Sequence, residues 1–139
     1  MPKEVLVDSG PLIALFHEKD KFHELVVETL KSKRLHLVTT WAVITEVFYF
    51  LSSYKEKTDR FLEWIERGGL VISDLKASDI EFIRKRIKKY SDVPMDLADA
   101  TLVHVAERDF IYQIFSIDSD FQIYKMSNGK YLENVLALN

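Results

Sequence analysis

Short apolar runs alternate with longer helical patterns along most of this chain. Strand-like runs occupy Glu4–Val7, Leu35–Val38, Leu70–Ile72 and Gln113–Ser116, with a weaker one near Tyr131–Val135. Parallel strands need long crossover connections, which are usually helices, so this alternation is typical of a parallel sheet covered by helices. The sequence therefore predicts a three-layer α/β/α sandwich around a central, mainly parallel sheet of four to five strands.

The predicted helices lie between those runs. They cover residues 11–18, 22–32, 40–54, 59–66 and 96–108, with one more over the basic run near 84–89. Gly68-Gly69 predicts the end of the fourth helix, because glycine readily adopts the left-handed conformation that closes a helix. Ser78 and Glu81 have the spacing of a capping box and predict the start of the helix with the basic run.

Composition narrows the class of protein. The 139 residues, 47% of them hydrophobic, predict one globular domain spanning 1–139. The absence of cysteine excludes disulfides and zinc-thiolate sites, and no phosphate-binding glycine-rich motif occurs. No apolar run reaches the ~18 residues of a membrane span, and the first residues lack the features of a signal peptide, so we expect a cytoplasmic protein without a membrane partner.

Five carboxylates occupy positions that direct them toward one place. Asp8 follows the first strand and Asp118 follows the fourth, and the carboxyl ends of parallel strands meet at one edge of a sheet. Asp96 and Asp99 share the first turn of their helix, and Glu46 lies on another helix. Clustered carboxylates repel one another unless a cation neutralises them. The pattern predicts a Mg²⁺ or Mn²⁺ site able to activate water against a phosphodiester.

Glu46 stands out because its helix, within TTWAVITEVFYFLSSY, is almost entirely apolar. Such a helix should pack inside the protein, where an ionised carboxylate is costly to desolvate. Glu46 is then either a metal-site residue or the partner of a basic residue such as Arg60.

The other acids also have ordinary structural interpretations. Asp8 is suited to capping the turn after its strand, and Asp96 and Asp99 to the start of a helix. Asp118 and Asp120 are typical turn residues. Each alternative is reasonable for a single residue, but together they do not explain why the acids converge on one sheet edge.

Four segments resemble the PIN domain, and most of all the VapC-type toxins of toxin–antitoxin operons. They are VLVDSGPLIALF, the TEV of the apolar helix, MDLADATLVHVAE and FSIDSDF, in that order from Val5 to Phe121. The resemblance implies a PIN-like fold and a Mg²⁺- or Mn²⁺-dependent endoribonuclease. No usable motif follows Phe121.

The resemblance also implies the roles of particular residues. The catalytic acids would be Asp8, Glu46, Asp99 and Asp118. These four, with Asp96, would also be the metal ligands. Supporting residues would be Ser9, Ser116 and Asp120, with Ser116 replacing the usual threonine of the last motif.

Partners follow from the resemblance and from surface chemistry. The resemblance implies an RNA substrate, a homodimer and a cognate antitoxin. The net charge of −3 gives no general attraction for nucleic acid, so RNA contacts require a local basic face. The run RKRIKK offers Arg84, Lys85 and Lys88 for RNA binding, unless it is simply the solvated side of its helix.

Two further alternatives remain open. The aromatic residues Phe48, Tyr49, Phe50 and Tyr54 form either an apolar surface patch or ordinary core packing. The protein itself is a toxin, a free-standing PIN nuclease without an antitoxin, or a non-catalytic module that binds metal or RNA.

Overall fold

A five-stranded, fully parallel sheet forms the centre of the protein, as seen in a computed structural model that describes residues 3–136. The strand order is β3-β2-β1-β4-β5. Its strands are β1 (Lys3–Val7), β2 (Leu35–Thr39), β3 (Val71–Ile72), β4 (Gln113–Phe115) and β5 (Glu133–Asn134). The prediction of a parallel sheet of four to five strands is confirmed.

Helices connect the strands. They are α1 (Ser9–Phe16), α2 (His23–Ser32), α3 (Trp41–Leu51), α4 (Lys55–Glu66), α5 (Ile80–Lys89) and α6 (Leu97–Asp109). The connections through α1–α2 and α3–α4 step outward from β1 to β3, whereas α5–α6 crosses back to β4. Since such crossovers are right-handed, opposite directions place the two groups of helices on opposite faces of the sheet. This is the predicted three-layer sandwich.

The strand order creates a switch point between β1 and β4. From β1 the chain first moves toward β2 and β3, and it later returns to the other side of β1 as β4. A crevice opens outside the carboxyl ends of the strands at such a point, and ligands of open α/β sheets bind there. Val7 pairs with Phe115, so Asp8 and Ser116 leave the sheet side by side.

Two local predictions differ from the structure. Helix α4 begins at Lys55, about one turn before the predicted start. The prediction of a capping box formed by Ser78 and Glu81 is wrong. The chain turns through a short 3₁₀ segment, Ala77–Asp79, in which the carboxylate of Asp79 accepts from the backbone N–H of Lys76 at 2.7 Å. Asp79 therefore closes this turn, and Ile80 begins the helix.

The core lies on both faces of the sheet and continues along single stripes of helices such as α3, whereas α6 is buried around its whole circumference from Ala98 to Ala106. On α3 the buried residues are Val43, Ile44, Val47 and Leu51. The spacing of these four residues covers one face, so the other faces of this apolar helix are exposed. No helix within residues 3–136 has the length and apolarity that crossing a membrane would require.

Candidate metal centre

Asp8 lies at the switch point and is held from two sides. Its Oδ1 accepts from the backbone N–H of Ser9 at 2.8 Å, so Asp8 caps α1 as its structural interpretation requires. Its Oδ2 accepts from the Ser116 hydroxyl at 3.1 Å, and the Asp8 backbone N–H continues the β1–β4 pairing with Phe115. The side chain is buried, and these two bonds orient both of its oxygens.

Asn134 holds Ser116 in place, and sequence reasoning missed it. Its amide donates to the Ser116 carbonyl at 2.8 Å, and its Oδ1 accepts from the backbone N–H groups of Ser116 and Leu136. These bonds extend the β4–β5 pairing to the residue that contacts Asp8. Nothing near Asn134 in the sequence signals this role, because only the strand pairing brings β5 to β4.

Asp118 follows β4 through a tight turn. Its backbone N–H donates to the Ser116 hydroxyl at 3.0 Å, and its Oδ1 accepts from the backbone N–H of Asp120 at 3.0 Å. Asp118 is therefore also the N-cap of the short 3₁₀ turn Ser119–Gln122. The capping bond uses one carboxylate oxygen and leaves the other available to a ligand.

Asp96 and Asp99 open α6. Asp96 is the N-cap, and its Oδ1 accepts from the Asp99 backbone N–H at 2.7 Å. The Asp99 side chain is buried, although α6 carries no basic residue in its first turn. Burial of an acid at this position is more than a cap requires, since caps ordinarily lie at the surface.

Tyr124 is a second residue that sequence reasoning missed. It lies beyond the last motif, is fully buried, and its hydroxyl donates to Asp99 Oδ2 at 3.1 Å. Its ring packs edge-on against Tyr90 and Phe121, with centroids 5.2 and 5.5 Å away. The phenol thus fixes one oxygen of Asp99 and leaves Oδ1 without a hydrogen bond in residues 3–136.

Glu46 is not buried as its apolar helix suggested. The expectation was wrong because α3 buries only one stripe and Glu46 lies outside it, with an exposed side chain. The proposed partner Arg60 forms its ion pair with Glu56 instead, at 3.9 Å. The charges of Asp96 and Asp8 still act on Glu46, so it faces the same group of acids.

A threonine pair joins the helix of Glu46 to that of Asp99. Thr40, the N-cap residue of α3, makes no capping bond, and its hydroxyl lies 2.8 Å from that of Thr101 on α6. Thr101 donates to the Ala98 carbonyl, so Thr40 is the donor to Thr101. This buried link sets the spacing of α3 and α6 beside the acids.

Six carboxylates thus surround the carboxyl ends of β1 and β4, and we call them the carboxylate site: Asp8, Glu46, Asp96, Asp99, Asp118 and Asp120. Within it, single oxygens of Asp99, Asp118 and Asp120 lie within 4.8 Å of one another. Opposite oxygen ligands of Mg²⁺ are about 4.2 Å apart, so these separations are compatible with one ion. The residues fit a hard divalent ion, because the donors are carboxylate oxygens and the second oxygen of Asp118 is not used by its capping bond.

No basic side chain described in residues 3–136 forms an ion pair with any member of the carboxylate site. Burial, reinforced by neighbouring acids, raises the pKa of Asp8 to about 6 and that of Asp99 to about 8. Loss of hydration and the charges of Asp96 and Asp8 raise the pKa of Glu46 to about 7. The pKa of Asp120 is also raised, by burial and by Asp118. The site is therefore short of positive charge.

The structure separates the candidate RNA-binding residues. Arg84 and Lys88 lie on one flank of α5, whereas Lys85 lies on another, next to a cavity. On α3, the candidate aromatic patch is at the surface: Phe48 and Phe50 are about two-fifths exposed, and Tyr49 is 82% exposed. Tyr54, just after α3, is 42% exposed.

Sequence comparison finds two relationships with known proteins. The sequence model of the PIN domain matches residues 5–125. The chain is 25% identical to ribonuclease VapC26 of Mycobacterium tuberculosis over 116 residues, which are 82% of this chain and 86% of that protein.

Two solved structures are similar in fold. One is that of Mycobacterium tuberculosis VapC20, described as a sarcin-ricin loop cleaving toxin, with a TM-score of 0.77, 18% identity, and coverage of 86% of this chain and 93% of that one. The other is VapBC2 from Rickettsia felis bound to a DNA fragment from their promoter, with a TM-score of 0.67, 14% identity, and coverage of 94% and 98%.

Proposed function

The chain belongs to the PIN domain family, and from this premise we propose that it is a Mg²⁺- or Mn²⁺-dependent endoribonuclease. We further propose that it is the toxin of a type II toxin–antitoxin pair. The similarity to a protein named ribonuclease VapC26, and to toxins of the same kind in fold, supports both statements. The VapBC2 structure supports an antitoxin as the partner.

One observation carries the proposal: a group of converging carboxylates, two of them buried, without a basic partner in residues 3–136. Burying an unpaired carboxylate is costly, and a protein keeps such a group when a cation or a reaction requires it. Helix capping explains why one carboxylate oxygen of each acid at a helix N-cap is bound to a backbone N–H. It does not explain the burial of Asp8 and Asp99 or their raised pKa values.

Each acid has a distinct part in this proposal. Asp99, Asp118 and Asp120 would hold the ion directly or through water, with Asp8 and Asp96 beside them. The bound ion would supply an activated water and would stabilise the charge that develops on the phosphate.

Glu46 has different properties from the other acids. Its side chain is exposed and faces Asp8 and Asp96, so it would contribute a carboxylate to the ion from the side of α3. Ser116 and Tyr124 would orient the oxygens of Asp8 and Asp99 toward the ion.

We propose a homodimer formed through the aromatic residues of α3. Phe48, Tyr49 and Phe50 leave a contiguous part of one helix apolar and exposed, which is unusual for a surface without a partner. Solution scattering at high micromolar concentration should report a dimer, and Tyr49→Glu should yield monomers. A wild-type protein that stays monomeric under these conditions contradicts this part of the proposal.

The test of the activity compares wild type with Asp8→Asn. Purified wild type should cleave RNA in Mg²⁺ or Mn²⁺, and Asp8→Asn should not, while circular dichroism shows the same fold. Asp59→Asn, an exposed acid of α4 without an ion pair in the described residues, is the matched control and should retain activity. Equal activity in all three preparations would indicate a contaminating nuclease.

Sequencing RNA ends after expression of wild type and Asp8→Asn in cells identifies the substrate. Ends present only with wild type support the ribonuclease. Binding of Mn²⁺ without any cleavage would instead favour a metal-binding module, and cleavage without arrest of growth would favour a free-standing nuclease.

A further inference from the structure

Helix α5 carries a stripe of four residues that line one surface cavity of about 200 Å³. The spacing i, i+3, i+4, i+7 places them on the same face of the helix. They are Phe82, Lys85, Arg86 and Lys89, and we call them the α5 stripe. Glu107 of α6 and Ser127 line the opposite side of the cavity.

The cations of the stripe differ in how firmly they are held. Arg86 is nine-tenths buried and paired with Glu107, and its Nε has no hydrogen-bond partner in residues 3–136. Among the described residues Lys85 pairs only with Glu81, at 3.2 Å between two exposed side chains, an interaction of little net strength. Lys89 forms no ion pair with a described residue and lies over the ring of Tyr90. Lys85 and Lys89 are therefore available to an anion.

Phe82 supplies a flat apolar surface beside these cations. It is 53% exposed, and its ring stacks on His104 with centroids 5.7 Å apart and planes 14° from parallel. His104 is itself fixed by Asp79, whose Oδ1 lies 2.8 Å from its Nε2. One side of the phenyl ring is thus supported by the protein, and the exposed remainder can receive a nucleobase.

The stripe leads toward the carboxylate site. From Phe82 to Lys89 it spans about 10 Å along the helix axis. The next residue, Tyr90, packs on Tyr124, and the Tyr124 hydroxyl donates to Asp99. The cationic end of the stripe is therefore separated from a carboxylate of the site by two packed aromatic side chains.

We infer that the α5 stripe binds single-stranded RNA next to the cleavage site, with a base stacked on Phe82 and phosphates bound by Lys85 and Lys89. The inference rests on the proposed ribonuclease function. An acidic protein with an acidic reaction centre repels RNA, so productive binding needs local positive charge close to that centre. An aromatic ring followed by cations on one helix face can contact a base and the neighbouring phosphates of a flexible strand.

The experiment measures binding apart from cleavage. A fluorescein-labelled single-stranded RNA of about 16 nucleotides is titrated with protein in EDTA, and anisotropy gives Kd at several salt concentrations. Lys89→Ala should weaken binding about threefold or more and reduce the slope of log K against log salt by about 0.7. Lys31→Ala removes the same charge from an exposed residue of α2, on the opposite face of the sheet, and should change neither quantity.

Phe82 is tested by a variant that preserves the packing. Phe82→Leu should weaken binding about tenfold with an unchanged salt slope, because stacking is lost and no charge is removed. Phe82→Trp keeps an aromatic ring and should bind the RNA about as tightly as the wild type. Thermal unfolding checks that the leucine variant still packs against His104.

The results separate this inference from the proposed function. Equal effects of Lys89→Ala and Lys31→Ala, or no effect of Phe82→Leu, would overturn the assignment of the stripe, even if the protein cleaves RNA. The predicted differences in binding, found in a protein that cleaves no RNA in Mg²⁺ or Mn²⁺, would support the stripe and overturn the nuclease proposal.

Discussion

Helix α6 contributes acids to two regions that treat them in opposite ways. Its first turn provides Asp99 to the carboxylate site, where no basic side chain of residues 3–136 forms an ion pair. Its last turns belong to an ionic cluster between α5 and α6, made of Asp79, Arg86, His104, Glu107, Arg108 and Asp109. In that cluster every acid has a basic partner.

The pKa values of the two regions diverge accordingly. Hydrogen bonds from Lys76 and His104 lower the pKa of Asp79. Burial alone would raise the pKa of Glu107, but hydrogen bonds from Ser127 and the charge of Arg86 lower it overall. In the carboxylate site the same burial is uncompensated, and the pKa of Asp99 rises to about 8.

The difference distinguishes acids that hold the fold together from acids that await a ligand. A paired acid stabilises the native state as it stands. An unpaired buried acid destabilises it, and is retained for a function that needs the charge. Four experiments test whether this distinction between the two regions is correct.

The largest expected effect is on activity. Asp99→Asn should lower kcat/KM on the order of 10³-fold, because it removes a charge that a metal ion requires. Without metal, its free energy of unfolding near neutral pH should be equal to or higher than that of wild type, since an uncompensated carboxylate is gone. Cleavage assays and urea unfolding in EDTA measure the two quantities. A variant that unfolds would show instead that Asp99 stabilises the fold.

The second effect is on pH dependence. Asp8 and Asp99 have folded pKa values of about 6 and 8, above the unfolded value of about 3.9, so the folded state binds more protons across that interval. Their stabilising contribution is complete below pH ~4 and is lost as pH rises toward ~8. The metal-free protein should therefore lose several kcal/mol between about pH 5 and pH 8, most of it from Asp99.

Urea unfolding in EDTA at each pH measures this loss, and Mn²⁺ should reverse it at the upper end. The contribution of the ionic cluster to stability has the opposite pH dependence. Its acids have lowered pKa values, so they lose their stabilising contribution only as pH falls below about 4. Stability that rises from pH 5 to pH 8 without metal would contradict the unpaired state of the carboxylate site.

The third effect is on stability alone. Glu107→Gln leaves the buried Arg86 without its counter-charge and should cost about 2 kcal/mol, while kcat at saturating RNA, measured below the melting transition, stays near wild type. Thermal unfolding gives the loss. Comparison with Asp99→Asn then provides the full contrast: one variant impairs stability and the other impairs activity.

The smallest effect concerns the support of Asp99. In the wild type, the Tyr124 hydroxyl donates to Asp99 and so lowers the pKa of that carboxyl. Tyr124→Phe removes this hydrogen bond, and the pKa of Asp99 should rise. Activity should fall about fivefold, as expected for the loss of one hydrogen bond. The acidic limb of the pH–rate profile should move to higher pH. A pH–rate profile measures the shift. A drop in activity at an unmoved limb would indicate only a packing defect.

Much of this architecture could be read from local sequence. Apolar runs and helical spacing predicted the parallel sheet, because burial of a face follows periodicity directly. Asp8 and Asp118 were expected at one sheet edge because each follows a strand. Glu46 was misjudged, since an apolar composition does not reveal that α3 buries only one stripe. Asn134 and Tyr124 carried no signal at all.

By itself, the sequence determined which residues form strands and helices and where acids follow them, since both depend on neighbours in the chain. Only the tertiary structure decided that β4 returns beside β1, so that Ser116 meets Asp8 across 108 positions. It also decided that Glu107 has an arginine beside it and that, within residues 3–136, Asp99 forms no ion pair. Charge compensation depends on which side chains converge in space, and that is set by long-range packing.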